Sequence, residues 1–574
     1  MYVLGINPTT EGTGSHDPGA VILDDGDIVF GAEEERFNRD KHARETFPEL
    51  AIRAGLEYCD IELADIGAVS IGWEPREKAK YDARLSLEQS PLQSAYYLAE
   101  KLKDYKIAPS KIRGNLSDIG TPIPPIQYHA HHRSHAASAF YPSGFDESLV
   151  VTLDGRGERD ATVVWKGGSN GLDRLKTYDF PNSLGGFYSA VTVFLGYRAN
   201  NGEGKIMGLA PYGTPNPEIK AKLRTIIETG VDYDMSSLNF HTGGAVGTLE
   251  SLFDRSRRST RREFTDWEKD FAHVAQNMLE ETVADIVETY CRRENIRKVC
   301  LAGGVALNCK MNKRIMELDV VDEIFVQPVA HDAGGALGAG LLSATNPSRE
   351  MSTVYWGPDY ATAGITDTLD QYKIERAEPN NLERDIADRL ANGELIGWFQ
   401  GRLEMGPRAL GNRSILADPR TIDSRDRVNE FVKHREEWRP FAPSMLEAAA
   451  DDYLVNAEAA PYMIKTFDVI PEKQDEIAAV LHPADQTTRP QTVREDQNPR
   501  YYRLLREFEE LTGVPVLLNT SFNDSGEPVV NTPTEAIRDF FSMGLDTLVV
   551  EDVVLEKTAG MGKSVSVDVS ETVD

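Results

Sequence analysis

Two stretches of this chain share one grammar, and that repetition limits the fold more than its composition does. MYVLGINPTTEGTGSHDPGAVILDDGDIVFGAEEERF opens as a strand, passes through a Gly/Ser-rich loop and continues as a β-hairpin turning at Asp25 and Gly26. SLVVTLDGRGERDATVVWKGG repeats the logic: an apolar strand ends in Asp154 and Gly155, a polar turn follows and a second strand returns. Helical segments separate the two units, which points to a duplicated fold.

Between Asp270 and Arg293 the residues Phe271, Val274, Met278, Val283, Ile286, Val287 and Tyr290 recur three or four apart, the apolar face of a long helix. KVCLAGG then reads as a short strand, VALN follows, EIFVQP is another strand and AHDAGGALGAGL opens a Gly-rich helix. This alternation is α/β. A length of 574 residues exceeds what one core supports, so at least two domains are expected. The irregular stretch 345–382 separates a first domain at 1–350 from a second at 383–560, which begins with a helix and the strand ELIGWFQ. The tail 561–574 has the composition of a disordered segment.

Charge narrows the partners. With 92 acidic against 62 basic residues the net charge is −30, a field that repels nucleic-acid phosphates. The same excess suits a protein working in high salt, where screening tolerates self-repulsion. No apolar run reaches membrane-spanning length and the start lacks signal-peptide order, so a soluble, cytoplasmic protein is expected. Four cysteines without a CxxC pair argue against disulfides and against a thiolate zinc site.

HAHHRSHAASAF, at 129–140, gathers four of the chain's eleven histidines. On a helix His131 and His135, four apart, lie on one face and close enough to share a metal ion; an ordinary helix start carrying polar histidines is the competing reading. Asp154 and Asp332 each end a strand, and two imidazoles with two carboxylates make a mixed N/O set suited to iron, manganese or zinc. Turn formation and helix capping are the alternative for both aspartates. LDGRGE, EGKIMGLAPYG, LAGGVALN and HDAGGALGAG put glycine where strands meet turns or helices, so backbone N–H groups can approach phosphate oxygens, although any one alone is a tight turn. Together they look like the nucleotide cradle of an actin-like ATPase fold. Further on, GRLEMGPRALGNRSILADPR carries Arg402, Arg408 and Arg413, VKHREEWRPFAPSML carries Lys433, Arg435 and Arg439, and LLNTSFNDSGEP offers Asn519 after a buried strand. Guanidinium forks with hydroxyl and amide donors are what a small, highly charged anion requires.

HHRSHAASAF, LDGRGE, EGKIMGLA, GGVALN and HDAGGALGAG, followed by GPRALGNRSIL, WRPFAPS and NTSFN, resemble the NodU/CmcH/TobZ family of ATP-dependent O-carbamoyltransferases from MYVLGIN to about residue 558. The resemblance implies a two-lobed amino-terminal domain of the actin-like ATPase (ASKHA) fold and an α+β, YrdC-like carboxy-terminal domain. It implies that carbamoyl phosphate and ATP give carbamoyl-adenylate, and that the carbamoyl group then passes to a hydroxyl of a small-molecule acceptor. By the same resemblance His131, His135, Asp154 and Asp332 hold a divalent metal, iron by family analogy, with Mg2+ accompanying ATP. His16 and Lys41 become the catalytic candidates. Gly155, Lys205, Gly303, Gly304, Asn308 and Gly335 fall on the nucleotide, and Arg408, Lys433, Arg435, Arg439, Arg489 and Asn519 on carbamoyl phosphate. The loop PTTEGTGSHD is longer than the family pattern, which leaves the acceptor undetermined; a homodimer stays open. Two rivals remain: a tRNA threonylcarbamoyladenosine-type carbamoyltransferase, which the acidic charge opposes, and a non-catalytic nucleotide-binding protein of the same fold.

Overall fold

The computed structural model describes residues 1–10, 13–14, 16–89, 107–238, 240, 244–259, 263–436 and 438–557; the expected 561–574 tail lies outside them. Two compact units result. The first holds Met1–Pro358 with the short segments Met405–Pro407 and Ile464–Thr466; the second holds Asp359–Glu404, Arg408–Met463 and the residues from Phe467 on.

The first unit contains two five-stranded sheets with one strand plan. In the first sheet β1 (Tyr2–Asn7) pairs antiparallel with β2 (Gly19–Asp24), which pairs antiparallel with β3 (Asp27–Glu33). On its other side β1 pairs parallel with β4 (Ile66–Ile71), which pairs parallel with β5 (Ile126–Tyr128). The second sheet repeats this with β6 (Ser148–Leu153), β7 (Asp160–Gly168), β8 (Gly171–Asp179), β9 (Lys298–Ala302) and β10 (Glu323–Val326): two antiparallel pairings on one flank of β6, two parallel ones on the other. The β2–β3 hairpin turns at Asp25 and Gly26, whose φ values of 49° and 102° are those of a two-residue primed turn that matches strand twist.

Two helices lie between the sheets. Asp332–Ser343 packs on β1, β2 and β4, His131–Phe140 packs on β6 and β9, and the two helices pack on each other. Glycine makes that contact close: a Cβ on Gly338 would stand 1.7 Å from Ser134 O. The long helix runs from Asp266 to Glu294 and buries all seven residues of the apolar face read from the sequence. It starts four residues before Asp270 because Thr265 and Glu268 form a capping box, and ends at Asn295 in the left-handed region. GVAL is a 3₁₀ turn, Gly304–Leu307, and Asn308 follows it as its C-cap.

The second unit is built on a seven-stranded mixed sheet. Its strands are β11 (Ile396–Phe399), β12 (Arg413–Ala417), β13 (Ala442–Leu446), β16 (Gln491–Val493), β17 (Val516–Ser521), β18 (Thr547–Val550) and β19 (Val553–Glu556), while β14 (Phe467–Asp468) and β15 (Thr487–Thr488) form a separate pair. The order β16-β13-β17-β12-β11-β18-β19 puts β17, with its terminal Asn519–Ser521, in the interior of the sheet between β13 and β12. All four cysteines are free thiols. Among the described residues no helix is long and apolar enough to cross a membrane.

Candidate metal centre and anion site

His131 and His135 leave the start of their helix toward the end of β6 and the N-terminus of the Asp332–Ser343 helix. Their Nε2 atoms are 3.1 Å apart. Asp154 Oδ2 lies 3.0 Å from His131 Nε2 and 3.8 Å from His135 Nε2, and Asp332 Oδ1 lies 3.6 and 3.8 Å from the same two atoms. One donor atom from each of the four residues fits within 4.8 Å. Surrounding groups fix the ligand faces. His131 Nδ1 meets Gly72 O at 3.2 Å, which commits that nitrogen to carry the proton and turns the Nε2 lone pair to the cluster. Gly304 N donates to Asp154 Oδ1 at 3.3 Å, Glu158 accepts from His131 N, and Trp73 stacks on the His131 ring at a centroid distance of 4.0 Å.

The electrostatics show what such a cluster lacks. Burial alone would lower the His131 pKa, yet the Asp332 charge and the hydrogen bond and charge of Asp154 outweigh it and raise the ring to about 9. Asp154, although burial opposes its ionisation, is held far below the usual carboxylate range by His131 and then His135. A buried N2O2 set that retains a proton for want of positive charge fits a borderline divalent cation. The other histidines of the stretch are committed elsewhere: His132 bonds Thr152 Oγ1 at 2.8 Å and Asp160 O at 3.0 Å, and His129 bonds Ser343 Oγ at 2.9 Å.

His16 lies beside this cluster, with Nδ1 2.8 Å from Asp17 Oδ2. Burial would lower its pKa; the charge of Asp332 and the Asp17 hydrogen bond more than reverse that and raise it to about 9. Lys41 is half-buried in the adjoining turn.

In the second unit the cations separate into two kinds. Arg435 stacks on Phe441 at 4.0 Å and donates to Asn429 Oδ1 at 2.9 Å and Pro440 O at 3.3 Å. Burial, then the charges of Arg439 and Arg489, pull its pKa well below the arginine range, with the Glu436 charge opposing them. Arg435, buried beside the like charges of Arg439 and Arg489, marks a place an anion would stabilise, with Arg439 also meeting Glu436 at 3.6 Å. Lys433 is used differently: it ends a π-helical turn, and its ammonium meets Ser521 O at 2.6 Å, Asn523 O and Asn523 Oδ1 each at 3.0 Å and Ser521 Oγ at 3.4 Å, which ties down the NTSFN loop. Asn519 donates through Nδ2 to Ser444 Oγ at 2.9 Å, while its buried Oδ1 has no hydrogen-bond partner among the described residues. Arg408 is half-buried at the edge of the GPRALG segment. Arg413 is fully buried, stacked on Phe399 at 3.6 Å and bonded through Nη1 to Gln400 O at 2.6 Å, while its Nε and Nη2 meet no hydrogen-bond partner among the described residues.

Residues 4–341 match the family described as Carbamoyltransferase N-terminus, and residues 387–557 match Carbamoyltransferase C-terminus. The chain belongs to the carbamoyltransferase family. Among its relatives, nodulation protein NolNO of Sinorhizobium fredii is 37% identical over 94% of this chain and 79% of that protein. Nodulation protein NolO of Bradyrhizobium diazoefficiens is 38% identical over 74% of this chain and 78% of its own length. The 3'-hydroxymethylcephem-O-carbamoyltransferase of Amycolatopsis lactamdurans is 27% identical over 98% and 100%.

Of the nucleotide candidates of this carbamoyltransferase, Gly155, Gly303 and Gly304 follow the ends of β6 and β9, Gly335 lies in the first turns of the Asp332–Ser343 helix, and Lys205 lies on the helix Glu203–Leu209. Gly303 has a φ of 89°, and a Cβ there would stand 2.2 Å from Leu153 O, so the turn after β9 lies against β6 only as glycine. Gly155 accepts from Ser183 Oγ at 2.6 Å, and nothing lies within 4 Å of a Cβ built on Gly335. Lys205 lies over the Tyr197 ring at 5.0 Å. Asn308 caps the helix that follows, accepting from Met311 N at 3.0 Å, and also pairs with Gln276, so its side chain is engaged within the protein. Sequence reasoning passed over Trp73, Glu158, Asp17, Glu35 and His42. The first two stood in IGWEP and LDGRGE at strand ends, a position that signals the cluster's rim; nothing in spacing connects the other three.

Proposed function

We propose that this carbamoyltransferase is an O-carbamoyltransferase that makes carbamoyl-adenylate from carbamoyl phosphate, ATP and one water, which releases phosphate from the carbamoyl donor while pyrophosphate leaves ATP, and passes the carbamoyl group to a hydroxyl of a small-molecule acceptor with AMP as the leaving group. The observation that carries the reading is the convergence of His131, His135, Asp154 and Asp332 at the junction of two like sheets, in a chain whose relatives include a named O-carbamoyltransferase. The paired strand plan supports an actin-like ATPase fold for the first unit. The mixed sheet, with Arg435 buried beside the like charges of Arg439 and Arg489, supports a YrdC-like role for the second.

The roles follow from chemistry. Arg435, Arg439 and Arg489, with Arg408 and Asn519, receive the anionic donor; Lys433 holds the loop beneath it. The glycine turns at Gly155, Gly303, Gly304 and Gly335 admit the nucleotide phosphates, with Lys205 as a cation and Asn308 as the cap of the next helix. A divalent cation on the His/His/Asp/Asp set would polarise a carbonyl or phosphate oxygen. His16, with Nδ1 committed to Asp17, has Nε2 for the reacting groups; Lys41 adds positive charge beside it.

Two measurements test this. Metal analysis by mass spectrometry should find one divalent ion per chain, lost from folded His131→Ala and His135→Ala proteins; full metal content in both would remove the ligand assignment. Pyrophosphate release and carbamoyl transfer are then followed separately. Arg439→Ala loses one charge-assisted hydrogen bond, ~1.5–3 kcal/mol of donor binding, and slows pyrophosphate release. His16→Ala leaves that step nearly intact and stops transfer. Equal loss of pyrophosphate release in both variants would sink the division of labour. Pyrophosphate exchange independent of carbamoyl phosphate would point to a nucleotide-binding protein.

A further inference from the structure

Asp17 holds two imidazoles at once. His16 Nδ1 lies 2.8 Å from its Oδ2 and His42 Nδ1 lies 2.8 Å from its Oδ1, so each ring turns Nε2 away from the carboxylate. The backbone fixes this arrangement. Asp17 N donates to His42 O at 3.0 Å, Asn7 Nδ2 donates to Asp17 O at 2.9 Å, and His42 N donates to Glu35 Oε2 at 2.7 Å. Asp17 and His42 have φ values of 55° and 68°, a left-handed conformation that side-chain-bearing residues keep only when neighbours over-determine it. His42 Nε2 is buried without a hydrogen-bond partner among the described residues.

Asp17, Glu35 and His42 also lie close enough to offer three donor atoms within 4.8 Å. Here, though, both Asp17 oxygens already accept from rings, and one of those rings is the candidate transfer group. An imidazole oriented by a carboxylate behind it is the arrangement that fixes a tautomer and steadies an imidazolium. Two rings on one carboxylate divide its charge between them.

We propose that Asp17 and His42 are positioning residues for the transfer step: Asp17 locks His16 with Nδ1 on the carboxylate and Nε2 presented to the reacting groups, and His42, drawing on the same carboxylate, limits the negative charge His16 receives. The inference rests on the reading of His16 as the transfer residue. Other charges bearing on the pair are Asp332 and Asp154 on His16, His331 on Asp17, and Glu35, itself paired with Arg36, at His42.

The test uses the full chain and three variants, His16→Ala, Asp17→Asn and His42→Asn, the last keeping a residue that tolerates left-handed backbone. Transfer and pyrophosphate release are measured separately across pH 6–10, with metal content and circular dichroism. Asp17→Asn should lower kcat for transfer about 10²- to 10³-fold with little change in acceptor KM, and move the alkaline limb of the transfer profile to lower pH. His42→Asn should change kcat less than about tenfold and move that limb to higher pH, because His16 then has the carboxylate to itself. Limbs that stay fixed, or move the same way in both variants, overturn the proposal, provided His16→Ala abolishes transfer. If His16→Ala transfers normally, the reading of His16 fails instead. Loss of a metal equivalent from both Asp17→Asn and His42→Asn would make the cluster a cation site and overturn the positioning role. Should Asp17→Asn not fold, the direction of the His42→Asn shift decides, together with a hydrogen-bonded His16 Nδ1 proton in ¹⁵N-histidine spectra of the wild-type enzyme.

Discussion

Replacing Gly338 with Ala alters the spacing of the metal cluster without touching a ligand. The new Cβ would stand 1.7 Å from Ser134 O, and real Cβ atoms keep at least 3.0 Å, so the Asp332–Ser343 and His131–Phe140 helices must part by more than 1 Å. Overpacking of that kind costs about 1–3 kcal/mol. It also pulls Asp332, on one helix, from His131 and His135, on the other, whose separations of 3.6 and 3.8 Å are already at the outer edge of an ion pair. Gly335→Ala in the same helix is the matched control, because nothing lies within 4 Å of its Cβ. Both substitutions gain ~1 kcal/mol of helix propensity, which cancels in the comparison. Gly338→Ala should therefore be about 1–3 kcal/mol less stable than Gly335→Ala, melt a few degrees lower and retain less metal. Gly335→Ala should melt at or above wild type, with a raised KM for ATP if nucleotide approaches that open face. Scanning calorimetry and metal analysis read both. Coincident melting and equal metal content would refute the claim that close helix packing sets the cluster's geometry.

Three further outcomes are expected. Burial, which outweighs the Leu50 and Ala51 N–H donors, raises the Glu34 carboxyl from 4.5 to about 7, so the folded state binds the extra proton; its contribution to stability is complete below pH 4.5 and fades as pH rises to 7, by ~3 kcal/mol. Denaturant unfolding of Glu34→Gln should therefore overtake wild type with rising pH, and a pH-independent difference would refute it. Thr532 accepts from Glu535 N at 3.2 Å to cap its helix, and Thr532→Ala should cost about 1 kcal/mol by the same assay. With a net charge of −30, the protein should gain several degrees of melting temperature between low salt and ~1 M, where screening falls to about 3 Å; a flat curve would show that self-repulsion is not limiting.

Local periodicity carried most of what could be read in advance. The seven apolar positions of the Asp266–Glu294 helix, the Asp25–Gly26 turn and the His131/His135 spacing are each decided by neighbours within four residues, where backbone geometry leaves few alternatives. The helix start at Asp266 was missed because a capping box outreached the apolar pattern. Asp17, Glu35 and His42 were invisible for a different reason. They meet through two left-handed residues in irregular loops, and no periodic signal records such a meeting. Arg413 shows another limit: its place in an arginine-rich motif says anion, and no spacing in the sequence tells that it is fully buried against Phe399.

The two sheets share a plan but not a loop length, and that difference sets an order of assembly. The parallel partner of β1 begins at Ile66, so residues 8–65 close the first sheet's central pairing, whereas residues 154–297 must be gathered before β9 can reach β6. Chain-closure entropy grows only slowly with length, but the time to find a non-local partner grows more steeply. On the ribosome the first sheet has all its strands once Tyr128 has emerged, while the apolar edge of β6 waits for well over a hundred more residues. β6 is fully buried in the finished protein, so during that interval its unpaired edge is an apolar strand open to wrong partners.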